Sequence, residues 1–217
     1  MDRFFNMDNG FFRALTKGVD CVWLSLLFLV TSIPVFTIGA SMTALYYAVQ
    51  KSLKNDRGYV GGEYFHAFKT NFKQSTLVWL LVLVVGIILS VDVQFFRALD
   101  EVGQALGKAY LFFGALLVLL VVWVAYLFPY IARFENSTKA IMKNAAYMAI
   151  LNLPRTLLLI VCMAVAALLV YIIPVTIFIV PALFTLVQNL IMEKIFRKYM
   201  SEEDRAAEDE LNREFKN

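Results

Sequence analysis

Apolar residues in this chain come in long unbroken runs, and the polar residues are gathered into blocks between them. Two of the runs have the length of one membrane crossing. Residues 75–93 contain LVWLLVLVVGIILSV, in which twelve residues are Leu, Ile or Val. At roughly −0.3 to −0.6 kcal/mol each near a bilayer centre, these favour insertion by about 5 kcal/mol. Residues 109–131 also supply the ~20 helical residues that a hydrocarbon core requires.

Two further runs, at about 11–53 and 156–192, are too long for one straight helix across a ~30 Å core. Each has a proline near its middle, Pro34 and Pro174, which removes a backbone donor and disfavours helix in the preceding residue. Each is charged mainly at its ends: Arg13 and Lys17 against Lys51 and Lys54, then Arg155 against Glu193 and Lys194. A helical hairpin with an uncharged turn satisfies this pattern. The expected fold class is therefore all-α, a polytopic transmembrane helical bundle. It forms a single integral membrane domain over residues 1–200, with six spans at about 11–33, 34–53, 75–93, 109–131, 156–173 and 174–193. Interfacial amphipathic helices are expected in the polar loops, and residues 201–217 form a charged tail.

Charge bias orients the threading. Residues 51–75 hold Lys51, Lys54, Arg57, Lys69 and Lys73; residues 132–155 hold Arg133, Lys139, Lys143 and Arg155. Residues 94–108 carry only Arg97 and Lys108. The more basic loops face the cytoplasm, and Lys194, Arg197 and Lys198 place the C-terminus there too. A rival threading has five spans and an external N-terminus, with residues 41–53 as an interfacial helix capped at Ser41. The two differ only before Lys51. Trp79, Tyr126 and Tyr130 are expected at the cytoplasmic interface; Phe95, Phe96, Tyr110 and Tyr171 are expected at the outer one.

The hydrophobic content of 60% and mean hydropathy of +0.69 exceed what a soluble core of this length requires. A net charge of +3 with no basic recognition motif gives no sign of nucleic acid as a partner. Cys21 and Cys162 lie inside apolar runs and read as small buried residues rather than a disulfide. The lone histidine, His66, reads as interfacial. The basic N-terminal segment followed by an apolar run resembles a secretory signal, but no clean cleavage site follows it. Asn9 is placed to cap a helix starting near Phe11.

No catalytic, phosphate-binding, metal-binding or redox motif is present, so neither an enzyme activity nor a cofactor or metal is expected. Ionisable residues sit near span ends: Asp20 beside Lys17 and Arg13, and Asp92 at the outer rim. A mid-span acid for an ion relay is lacking. The uncharged candidates for a polar pocket are Thr31, Ser32, Thr37, Ser41 and Thr43, then Thr176, Thr185, Gln188 and Asn189. Pro34, Thr37, Gly39, Ser41, Pro174 and Pro181 are the candidate sites of helix break or close packing. Breaks free carbonyls for ligands, whereas small residues such as Gly39, Ala40 and Ala44 let backbones approach.

Both basic loops end alike, as Asn71-Phe-Lys-Gln-Ser75 and Asn152-Leu-Pro-Arg-Thr156. Either a weak internal repeat or a shared need for a capping hydroxyl and a basic anchor accounts for this. Asn71, Lys73, Asn152 and Arg155 are the candidate cytoplasmic-loop contacts. In the tail region, Glu193 with Arg197 and Asp209 with Arg213 are spaced as helix-surface pairs, and a solvated helix is expected.

The segments FFNMDNGFFR, IPVFTIGASMTALYY, FKTNFKQS and KNAAYMAILNLPRTL resemble, in this order and spacing, the YesL-like integral membrane proteins of Gram-positive bacteria. TIGASMTALYY is the most specific of them. The biochemical activity of that family is uncharacterised. The resemblance implies a multi-pass protein of the cell membrane with a role near carbohydrate uptake, as an accessory or regulatory partner of sugar ABC transporter subunits. The alternative is a permease component or small-solute pathway in its own right.

Overall fold

The structure, a computed structural model, describes residues 10–55 and 57–214. Eight α-helices follow one another in these residues: α1 (Gly10–Thr31), α2 (Ile38–Ala48), α3 (Val60–Glu101), α4 (Tyr110–Arg133), α5 (Thr138–Leu151), α6 (Leu153–Ile172), α7 (Val180–Tyr199) and α8 (Glu202–Glu214). The expected cap at Asn9 lies outside the described residues. Within them, three helical stretches are long and apolar enough to cross a membrane: Val60–Glu101, Ala105–Arg133 and Leu153–Ile172. The protein is a multi-pass membrane protein of all-α fold, and the six spans are not all present as helices of that kind.

The first long block does fold as a hairpin. The chain leaves α1 at Thr31, turns at Pro34 and passes through a 3-10 turn (Val35–Thr37) into α2. Thr37 secures the turn, its hydroxyl donating to the carbonyls of Thr31 (2.5 Å) and Pro34 (2.6 Å). At the other end, the Lys17 ammonium donates to the Leu53 carbonyl at 2.9 Å, so the open ends of the two arms lie together. The turn does not reach the far end of α3. The Trp79 indole donates to the Val35 carbonyl at 2.7 Å, and Trp79 stands at the Lys73 end of the apolar run. Asp92 lies thirteen positions beyond Trp79, about 20 Å at 1.5 Å per residue.

α3 departs from expectation. Its 42 residues rise about 63 Å, twice a hydrocarbon core. No turn separates an interfacial segment from a span, and Ser75 does not cap a new helix but bonds the Thr43 hydroxyl at 2.9 Å. The second loop does break, between α5 and α6, at Asn152 (φ −120°, ψ 42°). The difference follows from one position. Pro154 occupies the place that Lys73 holds in the first loop, and it is tolerated only in the first turn of a helix, where no N–H is needed. With no proline or glycine between Ala67 and Trp79, α3 runs on.

The connection after α3 closes on Gly103, whose φ of +79° suits only glycine; its N–H bonds the Asp100 carbonyl, and that of Gln104 bonds Leu99. In the last block, Pro174 opens a 3-10 segment (Pro174–Phe178) and Pro181 lies in the first turn of α7. The N–H of Ala182 is capped from another helix, by the Ser25 hydroxyl of α1 at 3.1 Å.

Candidate functional site

The hub of the molecule is α2 and the π-helical turn that continues it, Val49–Lys54. Ala40, Ala44, Ala48 and Val49 are completely buried, as are the hydroxyl residues Ser41 and Thr43. α2 packs against α1, α3, α4 and α7. Small side chains make this possible. A β-carbon on Gly39 would stand 2.6 Å from the Ser75 carbonyl and 2.8 Å from the Phe128 ring, so the backbones of α2 and α3 touch there. Ser41 and Thr43 return their hydroxyls to carbonyls one turn back, at Thr37 and Gly39. Ser41 also bonds Thr31, which bonds the Tyr64 hydroxyl at 2.6 Å. These satisfied hydroxyls tie α2 to α1 and α3.

At its basic end the hub meets a buried ion-pair cluster that spacing did not reveal. The Tyr46 hydroxyl donates to Glu193 of α7 at 3.2 Å. Arg133, at the end of α4, lies 3.4 Å from the other Glu193 oxygen and also pairs with Glu208 of α8. Arg197 takes Asp209 rather than Glu193, at 2.7 Å. The expected pairs Glu193–Arg197 and Asp209–Arg213 give way to tertiary ones, and the tail is the expected largely exposed helix, tethered through Glu208 and Asp209. A carboxylate as buried as Glu193 demands a full charge beside it, and α4 delivers one. Asn189, one turn before Glu193, is wholly buried; it lies by Tyr46 with neither amide atom within hydrogen-bond geometry.

Two cavities meet at this cluster. One, of about 640 Å³, lies among α2, α4, α6 and α7 and has Tyr46 and Gln188 in its wall. The other, of about 380 Å³, is polar and is lined by Lys54, Glu193, Arg197, Glu208, Asp209 and Arg213. Tyr46 lines the first and Glu193 the second, and the hydrogen bond between them links the two walls. Burial pushes the Lys54 ammonium below its ordinary range, with Glu193 and Glu208 pulling the other way. In the first cavity the Gln188 amide donates to the Ala125 carbonyl at 2.8 Å. That carbonyl faces Pro129, which has no N–H to offer four residues on, so Gln188 replaces the missing helix bond.

Residues 21–93 match the family model described as Protein of unknown function, DUF624. That is about a third of the chain, from the middle of α1 through the apolar run of α3, and it holds the whole hub. No curated protein and no solved structure matches the chain.

The candidate break and packing residues divide by location. Pro34, Thr37, Gly39 and Ser41 form the hairpin turn and the first turn of α2, whereas Pro174 and Pro181 lie at the α6–α7 connection. The loop candidates also separate. Asn71 bonds the Ala67 carbonyl of its own helix, and Lys73 is exposed. Asn152 is buried and donates to the Met148 carbonyl at 2.9 Å; Arg155 reaches the Lys194 carbonyl at 3.4 Å. Thr156 locks the corner by bonding Tyr126 at 2.7 Å and the Ala149 carbonyl at 2.8 Å. Cys21 and Cys162 are free and lie on α1 and α6. Lys17 lies close enough to Asp20 to act on its charge, while the Arg13 side chain is outside the described ones. Among the described residues no three His, Cys, Asp or Glu side chains converge.

Proposed function

We propose that the protein is an accessory or regulatory membrane component that works beside a carbohydrate ABC transporter, and is neither an enzyme nor itself the permease. The sugar connection rests on the resemblance of the chain to the YesL-like proteins of Gram-positive bacteria. The observation that favours a companion over a solute pathway is the packing of the hub. α2 fills the centre, its backbone in contact with α3 at Gly39, and its hydroxyls are bonded to one another and to carbonyls rather than lining a passage. A sugar crossing this bundle would need a row of free hydrogen-bonding groups, and the hub offers none of that kind.

In this reading both termini lie in the cytoplasm. The pairing of Lys17 with the Leu53 carbonyl favours a hairpin over the five-span threading, because it brings the two ends of the first block to one side. The contact of Val35 with Trp79 favours a hairpin that enters from the cytoplasmic side and turns back, leaving α3, α4, α6 and α7 as the crossings.

Extraction in mild detergent followed by affinity purification tests the companion role. A transporter subunit or its ATPase is expected to co-purify, and recovery of the protein alone under these conditions overturns the reading. Liposomes containing only this protein are expected to admit no more sugar than empty ones; uptake above that level would restore the permease. For the threading, single cysteines at Ile33, Lys69 and Val102 are challenged with a membrane-impermeant thiol reagent on intact cells. Only Val102→Cys is expected to react, and external labelling of Ile33→Cys would require the turn to cross the membrane.

A further inference from the structure

We infer that the 640 Å³ cavity among α2, α4, α6 and α7 holds an acyl chain of a bilayer lipid. The inference does not depend on the sugar-uptake reading. The volume falls within the roughly 300–1,000 Å³ of small-molecule sites, and the chemistry of the wall decides what enters. Apart from backbone, polar atoms come from Tyr46, Thr185 and Gln188 alone. Each is already engaged: Tyr46 with Glu193, Thr185 with the Pro181 carbonyl at 2.8 Å, Gln188 with the Ala125 carbonyl. A sugar or other polar solute would lose its water and gain few bonds in return, at a cost of about 1–3 kcal/mol for each unmet group. A hydrocarbon chain loses nothing.

The position of α6 supplies the occupant. Only Thr156 and Leu159 of this helix are buried, both in its first two turns. Beyond them α6 stands away from α4, and a second apolar cavity of about 380 Å³ opens beside it, sharing Val121, Met163 and Ala167 with the first. Both helices are long and apolar enough to cross a membrane, so the medium around this gap is lipid hydrocarbon. A void of this size would forfeit the dispersion contacts of its whole lining, and the lining is suited to an irregular chain. Ala125, Ala166 and Ala167 leave room, while Met42 and Met163 are unbranched and adaptable.

The test uses the full chain in nanodiscs of phosphatidylethanolamine and phosphatidylglycerol, doped with a phospholipid bearing a diazirine near the end of one acyl chain. After photolysis, adducts are mapped by mass spectrometry. They are expected to concentrate on Met163 and Phe184 in the cavity relative to Leu81 and Ile88 on the exposed face of α3. Filling the cavity with Ala166→Phe and Ala167→Phe should abolish the excess and leave the α3 adducts unchanged. Val170→Trp serves as a second filled variant, and elution profile and melting temperature confirm that each variant is folded. Equal labelling of cavity and α3 face overturns the inference, as does an excess that survives in a folded, filled variant. Protection of the cavity by a co-purified transmembrane partner would also overturn it, since a helix and not a lipid would then be the occupant.

Discussion

Gly39→Ala adds one carbon at the tightest contact of the hub. That carbon would sit 2.5 Å from the Trp79 β-carbon, 2.6 Å from the Ser75 carbonyl oxygen and 2.8 Å from the Phe128 ring. Carbon atoms rest at about 3.5–4.0 Å. Two of the three obstacles are parts of α3 that cannot rotate away, so the helices must separate by about 1 Å. Forced overpacking of this kind costs about 1–3 kcal/mol. The separation also stretches the Trp79–Val35 and Thr43–Ser75 hydrogen bonds, which contribute about 0.5–1.5 kcal/mol each. Helix propensity opposes these losses, since alanine is better than glycine by about 1 kcal/mol.

The net expectation is a destabilisation of about 1–5 kcal/mol. Thermal melting of the purified protein in detergent, followed by loss of the monodisperse elution peak, reads it. Gly114→Ala is the matched control, because a β-carbon there meets nothing within 4 Å and only the propensity gain applies. Gly39→Ala should melt lower than the wild type and Gly114→Ala no lower. If both variants melt alike, the α2–α3 contact is not the close approach described above.

Four further outcomes follow from the basic end of the bundle. Arg133→Ala leaves the Glu193 carboxylate buried without its cation and should cost about 3–5 kcal/mol, whereas Arg133→Met with Glu193→Gln should recover most of it; equal melting of the single and double variants would refute the pairing. The same single substitution should speed limited proteolysis near Ser201, because it removes the contact that Glu208 makes from α8. Asn189→Leu is expected to raise the melting temperature, since it replaces a buried amide with neither atom in hydrogen-bond geometry, a deficit of about 1–3 kcal/mol; a fall would mean that the amide engages the neighbouring Tyr46 hydroxyl. For Lys54, the lowered amine should show half-maximal competitive acetylation below the ordinary ~10.4 of lysine, and a midpoint at or above that value contradicts its burial.

Run length and terminal charge carried the sequence reading as far as α3, α4, α6 and the first hairpin, because those are properties of a chain in one dimension. Other features depend on what the third dimension places alongside. Nothing local to Ser75 says that Thr43 will engage its hydroxyl, so the helix expected to begin there continues from Val60. Glu193 has Arg197 at helical spacing, yet burial gives it Arg133 and a tyrosine 147 residues away. The depth of the hairpin turn, fixed by Trp79, is hidden for the same reason.

Hydropathy also misleads about burial in a systematic way. The most apolar windows of α3 and α6 are each only 11% buried, and that of α4 28%. The hydroxyl-bearing, glycine-containing α2 is the helix most enclosed by the others. In water the order would be reversed, since apolar surface would drive the helices together. Lipid supplies no such drive to the apolar windows of α3, α4 and α6, whereas α2 is held by close contact and satisfied hydrogen bonds, which small and hydroxylated residues supply. The stretch TIGASMTALYY is therefore distinctive for a physical reason: Gly39 sits where the backbones of α2 and α3 nearly touch, and Ala40, Ser41, Thr43 and Ala44 are completely buried beside it.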